Sequence, residues 1–122
     1  MKMLIENLNW DGQLRRLGAY YTVRISIIRG EDCYDFDIDS GRVSQAEGTP
    51  DESGRAFSLE GSAEAWDRFC EDTPPPEHHE LGALLACGHV AVHGNAPAMN
   101  ANFMYVRRLL EIWREHYRGL LK

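Results

Sequence analysis

The chain has 122 residues, 43% apolar and 26% charged; that suits a single folding unit with one core and excludes disordered and collagen-like polymers. Thirteen Lys and Arg against nineteen Asp and Glu leave a net charge of −6, which repels phosphate backbones, so no nucleic-acid partner is expected, nor strong docking to anionic bilayers. No apolar run reaches the roughly 20 residues that cross a bilayer, so no membrane span is expected.

Residues 1–18 show no clear period, and one domain over 1–122 with a poorly defined N-terminal segment is the expectation. Asn9-Trp10-Asp11-Gly12 is predicted to turn. From Tyr20 to Ile28 one parity is Tyr21, Val23, Ile25 and Ile27, the mark of a half-buried strand. Arg29-Gly30-Glu31-Asp32 reads as a hairpin connection. Tyr34, Phe36 and Ile38 then alternate with Asp35, Asp37 and Asp39, a second strand with a wet face. Asp39-Ser40-Gly41 turns the chain, Arg42 to Ala46 gives a short third strand, residues 49–54 a polar loop, and Ala56 to Glu60 a fourth strand.

The period then changes. Ser62 is a good N-cap for a helix carrying Trp66, Phe69 and Cys70 at i, i+3, i+4. Pro74-Pro75-Pro76 ends it. A second short helix is predicted from about Glu77 to Cys87, with Leu81, Leu84 and Leu85 on one side and Gly88 as its stop. Gly88 to Gly94 reads as a strand. The last element is one amphipathic helix whose stripe runs Met99, Phe103, Val106, Leu110, Trp113, Tyr117 and Leu120, widened by Tyr105, Leu109, Ile112 and Leu121. Such a wide apolar arc fits a helix packed on a sheet and a neighbouring helix, a dimer seam, or the lid of an apolar cavity.

The candidate chemistry is thin. Asp35-x-Asp37-x-Asp39 has the look of a calcium loop, but Ser40 stands where an EF-hand needs Gly and Ala46 where it needs Glu; the carboxylates share a solvated strand face instead. His89 and His93, four apart on a strand, would be about 13 Å from each other, too far for one ion. No metal site is therefore expected. No nucleophile elbow, P-loop or dinucleotide fingerprint occurs, so no cofactor and no catalytic residue is assigned. Cys33, Cys70 and Cys87 are odd in number and lack Cys-x-x-Cys spacing, which suggests free thiols in a reducing cytoplasm. Cys70 and Cys87 are expected to be buried. Glu6 interrupts the start too early for an export signal. The middle of the chain, residues 31–80, carries −12 between flanks of +3 each; it reads as a solvated face or a surface for a basic partner.

Three stretches resemble the sterol carrier protein family. Phe57-Ser58-Leu59-Glu60-Gly61-Ser62-Ala63-Glu64-Ala65-Trp66 is similar to its strand followed by a Trp-bearing helix, Gly88-His89-Val90-Ala91-Val92-His93-Gly94-Asn95 resembles its Gly-x-x-x-Val-x-Gly-Asp/Asn strand, and the amphipathic C-terminal helix follows at the matching place. Asp39-Ser40-Gly41-Arg42-Val43 is similar to the family's meander. The family's long first helix has no evident counterpart in residues 1–18, and the Pro74-Pro75-Pro76 stretch with His78 and His79 is unusual there. The resemblance implies an α+β fold: a five-stranded, mostly antiparallel sheet packed on helices, sterol-carrier-like, with an apolar tunnel that takes a sterol, fatty acid or acyl-CoA without chemistry. Phe36, Phe57, Trp66, Phe69, Leu84, Phe103, Val106, Leu110 and Trp113 are the expected lining. Burying an acyl chain of about sixteen carbons there gains on the order of 10 kcal/mol before the ordering costs of binding. The alternatives are an accessory or scaffold domain whose apolar helix face forms a homodimer or meets a partner enzyme, and a small enzyme with His78, His79 or Glu80 at a pocket mouth.

Overall fold

The computed structural model describes residues 1–46 and 54–120. The predicted loop at 49–54 and the stripe position Leu121 therefore fall outside the described residues, except for Gly54.

The strands form in the expected places: β1 (Val23–Arg29), β2 (Asp32–Asp39), β3 (Arg42–Gln45), β4 (Phe57–Gly61) and β5 (Val90–Gly94). They make one sheet in the order β3-β2-β1-β4-β5. β1–β2, β2–β3 and β4–β5 are antiparallel, while β1 and β4 run parallel in the middle. The register stacks Val23 beside Ile38, Ile25 between Phe36 and Phe57, and Ile27 between Tyr34 and Leu59. One face is thus a continuous apolar surface. The other carries Arg24, Ser26, Asp35 and Asp37, with Arg24 Nε donating to Asp37 and Ser26 Oγ to Asp35. Asp35 and Asp37 of the calcium-like run stay in strand register beside these partners, and Asp39 pairs with Arg42 of β3, as the alternation requires.

Helices cover the apolar face. Residues 1–18, unread in the sequence, are helical: α1 (Lys2–Trp10) and α2 (Gly12–Leu17). The expected turn at Asn9–Gly12 shrinks to one residue, Asp11, because Asp11 leaves the helical conformation and its carboxylate accepts Leu14 N–H to start α2. Only Leu4, Leu8 and Leu14 bury fully here, too few to set a visible period. α3 (Ala63–Phe69) starts at the predicted cap, Ser62, whose hydroxyl accepts Ala65 N–H.

The next helix is shorter than expected. α4 (Leu81–Ala86) begins after Glu80, not at Glu77, because the Glu80 carboxylate accepts the N–H groups of Gly82 and Ala83. The single C-terminal helix is two, α5 (Ala96–Ala101) and α6 (Phe103–Leu120), broken at Asn102 by its non-helical φ of −135°. The stripe spacing from Met99 to Phe103 carries across this break unchanged. Gly41 holds the β2–β3 turn at φ 86°, with Ser40 at 50°. These are the left-handed conformations a two-residue hairpin needs. Among the described residues no helix is long and apolar enough to cross a membrane.

Candidate functional site

The nine residues expected to line a tunnel all converge between sheet and helices. Phe36 and Phe57 come from β2 and β4, Trp66 and Phe69 from α3, Leu84 from α4, and Val106, Leu110 and Trp113 from α6; these eight are buried, and Phe103 is half-buried against them. Their placement follows from local causes. Ser62 fixes the start of α3, which aims Trp66 inward so that its indole Nε1–H donates to Ile28 O at 2.9 Å. The 3–4 spacing of α6 brings Val106, Leu110 and Trp113 onto the sheet.

The rings touch one another. Trp113 lies 5.4 Å from Trp66, edge-on, and 6.4 Å from Phe69, nearly stacked, while Trp66 and Phe69 are 5.7 Å apart. Two residues outside the expected lining complete the group. Tyr34 meets Trp113 edge-on at 5.7 Å and Tyr117 stacks on it at 5.4 Å. Both were visible as apolar-parity positions, Tyr34 in the second strand and Tyr117 in the helical stripe. What the sequence could not show is that they meet the same indole.

Arginines rim this aromatic group. Arg114 lies over Phe69 at 4.6 Å and Arg29 over Tyr117 at 5.4 Å, both in cation–π range. Arg29 also grips Asp67 through two bonds of 3.0 Å. Arg118 donates to Cys70 O at 2.7 Å and to Glu71 O. The end of α6 is thereby fastened to the end of α3.

The residues weighed for catalysis have structural occupations. Glu80 caps α4, with Arg107 at 3.9 Å. His78 is buried, stacked on His89 at 4.2 Å, its Nδ1 3.0 Å from Pro76 O. His79 is exposed, and its carbonyl accepts from Arg114. His89 lies just before β5, not in it, with Nε2 3.0 Å from Glu77, and His93 is exposed on β5. Glu77 holds a left-handed φ of 73°, and its bond to His89 keeps its carboxyl below the usual range.

Cys87, expected to be buried, is exposed: it caps the end of α4, where the chain turns outward at Gly88 with φ 76°. Partial desolvation and Glu77 beside it push its thiol up. Cys70 is buried as expected, and burial pushes its thiol to about 12. No group of three or more His, Cys, Asp and Glu is disposed to hold a metal ion among the described residues.

Surface clefts open among the described residues. They lie at the β2–β3 turn, beside α5, beside β5 and between α1 and α6. None of the four is lined by any of the nine expected tunnel residues.

The architecture is that of the sterol carrier proteins. A crystal structure of sterol carrier protein 2 superposes with a TM-score of 0.64 at 15% identity, covering 93% of this chain and 92% of that one. A conserved hypothetical protein from Thermus thermophilus, suggested to be a sterol carrier protein, gives 0.62 at 16% identity over 92% and 82%. UbiJ-SCP2, a ubiquinone synthesis protein, gives 0.53 at 12% identity over 91% and 89%. No family model matches the sequence, and no curated protein matches it.

Proposed function

We propose that this chain, built on the sterol carrier fold, binds a hydrophobic small molecule between its sheet and α6 and does no chemistry on it. The observation that carries the reading is the shared architecture: more than nine-tenths of the chain follows sterol carrier protein 2, and the wall that faces inward is apolar on every element. The non-catalytic part is supported by the occupations of Glu80 and His78 and by the protonated state favoured at Cys87.

In the state described, the rings of Trp66, Phe69 and Trp113 occupy one another's faces and edges. An entering chain must part them. Aromatic pairs contribute about 0.5–1.5 kcal/mol each beyond burial, so three cost about 2–5 kcal/mol to separate. Transfer of a long acyl chain gains on the order of 10 kcal/mol, so the gain exceeds this cost, and binding is expected to be loose in selectivity and slow to begin.

The same ring packing favours a second reading, an accessory domain whose interior stays filled by its own side chains. Emission of Trp66 and Trp113, read in a Trp10→Phe background, separates the two. A saturable change on titration with a fatty acid, a sterol or a polycyclic aromatic supports carriage. No change with any of the three, together with a stable dimer by light scattering, favours the accessory domain.

A further inference from the structure

A cleft of about 480 Å³ opens where the end of α1, the end of α2 and the β2–β3 turn converge, lined by Asn9, Arg15, Ala19, Ser40, Gly41 and Arg42. Its frame is fixed by hydrogen bonds. The Asn9 side chain donates to Val43 O and accepts from Val43 N–H, each at 2.8 Å, as a neighbouring strand would. Gly41 N–H donates to Tyr21 O at 3.1 Å, and Ser40 N–H to Thr22 Oγ1 at 3.1 Å. The turn packs so closely on α2 that a Cβ at Gly41 would lie 2.5 Å from Gly18 O. The walls are therefore set before any ligand arrives.

Two guanidiniums stand on this frame, Arg15 from α2 and Arg42 from β3. Both are exposed, and neither has an ion pair or hydrogen bond among the described residues. Four other arginines are engaged: Arg24 with Asp37, Arg29 with Asp32 and Asp67, Arg108 with Asp11 and Glu111, Arg118 with Asp72. Arg16 on α2 is likewise exposed without an ion pair or hydrogen bond among the described residues, but only Arg15 and Arg42 of these three line the cleft, in a chain with six more acidic than basic side chains. Among the described residues no carboxylate lines the cleft, and Ser40 adds a hydroxyl.

We propose that this cleft binds a phosphate group, with Arg15 and Arg42 as its two charged donors. A guanidinium offers parallel N–H donors matched to the edge of a phosphate, and a dianion matches two such groups. The phosphate arrives on a small molecule or as a lipid headgroup. The proposal does not depend on the interior holding a ligand.

The chain carries its own reporter. Trp10, beside the lining Asn9 in the chain, is 80% exposed, whereas Trp66 and Trp113 are at 0% and 1%. The probes are inorganic phosphate and phosphatidylcholine vesicles with and without phosphatidic acid. They are read by Trp10 emission and by the backbone amide resonances of Ser40, Gly41 and Arg42. A saturable response is expected, weakened about tenfold or more in Arg15→Ala and in Arg42→Ala and unchanged in the control Arg68→Ala, with the thermal midpoint kept in all three. Response to inorganic phosphate assigns a diffusible ligand; response only to phosphatidic acid vesicles assigns a headgroup. No saturable response to either probe, a response that the Arg15 and Arg42 variants leave intact, or an equal loss in Arg68→Ala overturns the site.

Discussion

Asp11 and Arg108, 97 residues apart, share two hydrogen bonds, Nη2 to Oδ1 at 2.7 Å and Nε to Oδ2 at 3.1 Å, while the same carboxylate accepts Leu14 N–H at 2.9 Å to begin α2. One side chain thus caps the second helix and fastens the N-terminal pair to α6, the helix that closes the interior. The two functions separate by substitution. Asp11→Asn keeps a capping oxygen and loses the charge, and is expected to cost about 1 kcal/mol or less, as for a partly exposed ion pair. Asp11→Ala loses both and is expected to cost about 2 kcal/mol, read as the shift in denaturant midpoint. Equal costs for the two variants would mean that the cap contributes nothing.

The same pair sets an acid limb of stability. The hydrogen bond from Arg108 holds the Asp11 carboxyl below its ordinary value of 3.8. A depressed folded-state value means stability that is fully present above 3.8 and lost as pH falls through the lower, folded value. The stability gap between the wild type and Asp11→Asn is therefore constant at neutral pH and shrinks below about pH 4. Thermal midpoints measured down to about pH 2.5 check this; a gap that widens on acidification contradicts it.

Tyr21 and Tyr105 meet edge-on at 5.1 Å, yet their hydroxyls fare differently. Tyr21 donates to Ala98 O at 2.7 Å, whereas the Tyr105 hydroxyl is buried with no partner among the described residues. Tyr21→Phe is expected to cost about 1 kcal/mol, and Tyr105→Phe to be neutral or to stabilise by up to about 1 kcal/mol. Chemical denaturation of the two variants compares them directly. A loss in Tyr105→Phe as large as in Tyr21→Phe would show that a buried water or ligand satisfies that hydroxyl.

Two left-handed glycines separate conformational strain from crowding. Gly88 has φ 76° and open space around the missing Cβ; Gly41 has φ 86° and Gly18 O in the way. Gly88→Ala is expected to cost about 1 kcal/mol from φ alone, and Gly41→Ala about 3 kcal/mol or more once overlap is added. Thermal melts should show roughly 3–5 °C for the first and about three times that for the second. Similar shifts for both would remove the crowding argument, and with it the rigid frame of the cleft.

These contrasts mark where the sequence is transparent. Strand alternation is a one-residue signal repeated many times, so Tyr21, Val23, Ile25 and Ile27 all bury as expected, at 0–3% exposure. The α6 stripe is long enough that its buried face, Val106, Leu110 and Trp113, follows from spacing alone. The N-terminal helices fail the same test: six or nine residues with one or two buried leucines carry little period. Their geometry depends on Asp11, whose partner is at the far end of the chain. The α5–α6 break at Asn102 is hidden because the apolar spacing runs through it. Glu80 as a cap and Cys87 as an exposed thiol depend on where α4 starts and stops, and the run of prolines obscured that. The nine lining residues could be gathered from their periods, but whether rings from α3, α6 and the sheet face a void or each other depends on depths and rotamers that no period records.

Uptake of a hydrophobic molecule into this interior is read without a label by native mass spectrometry of the purified protein. The expected spectrum shows a mass above that of the bare chain that falls to the chain mass on denaturation, with the released species an apolar lipid-like compound, and an adduct forming again on incubation with a long-chain fatty acid. A spectrum showing only the bare chain, before and after that incubation, contradicts it.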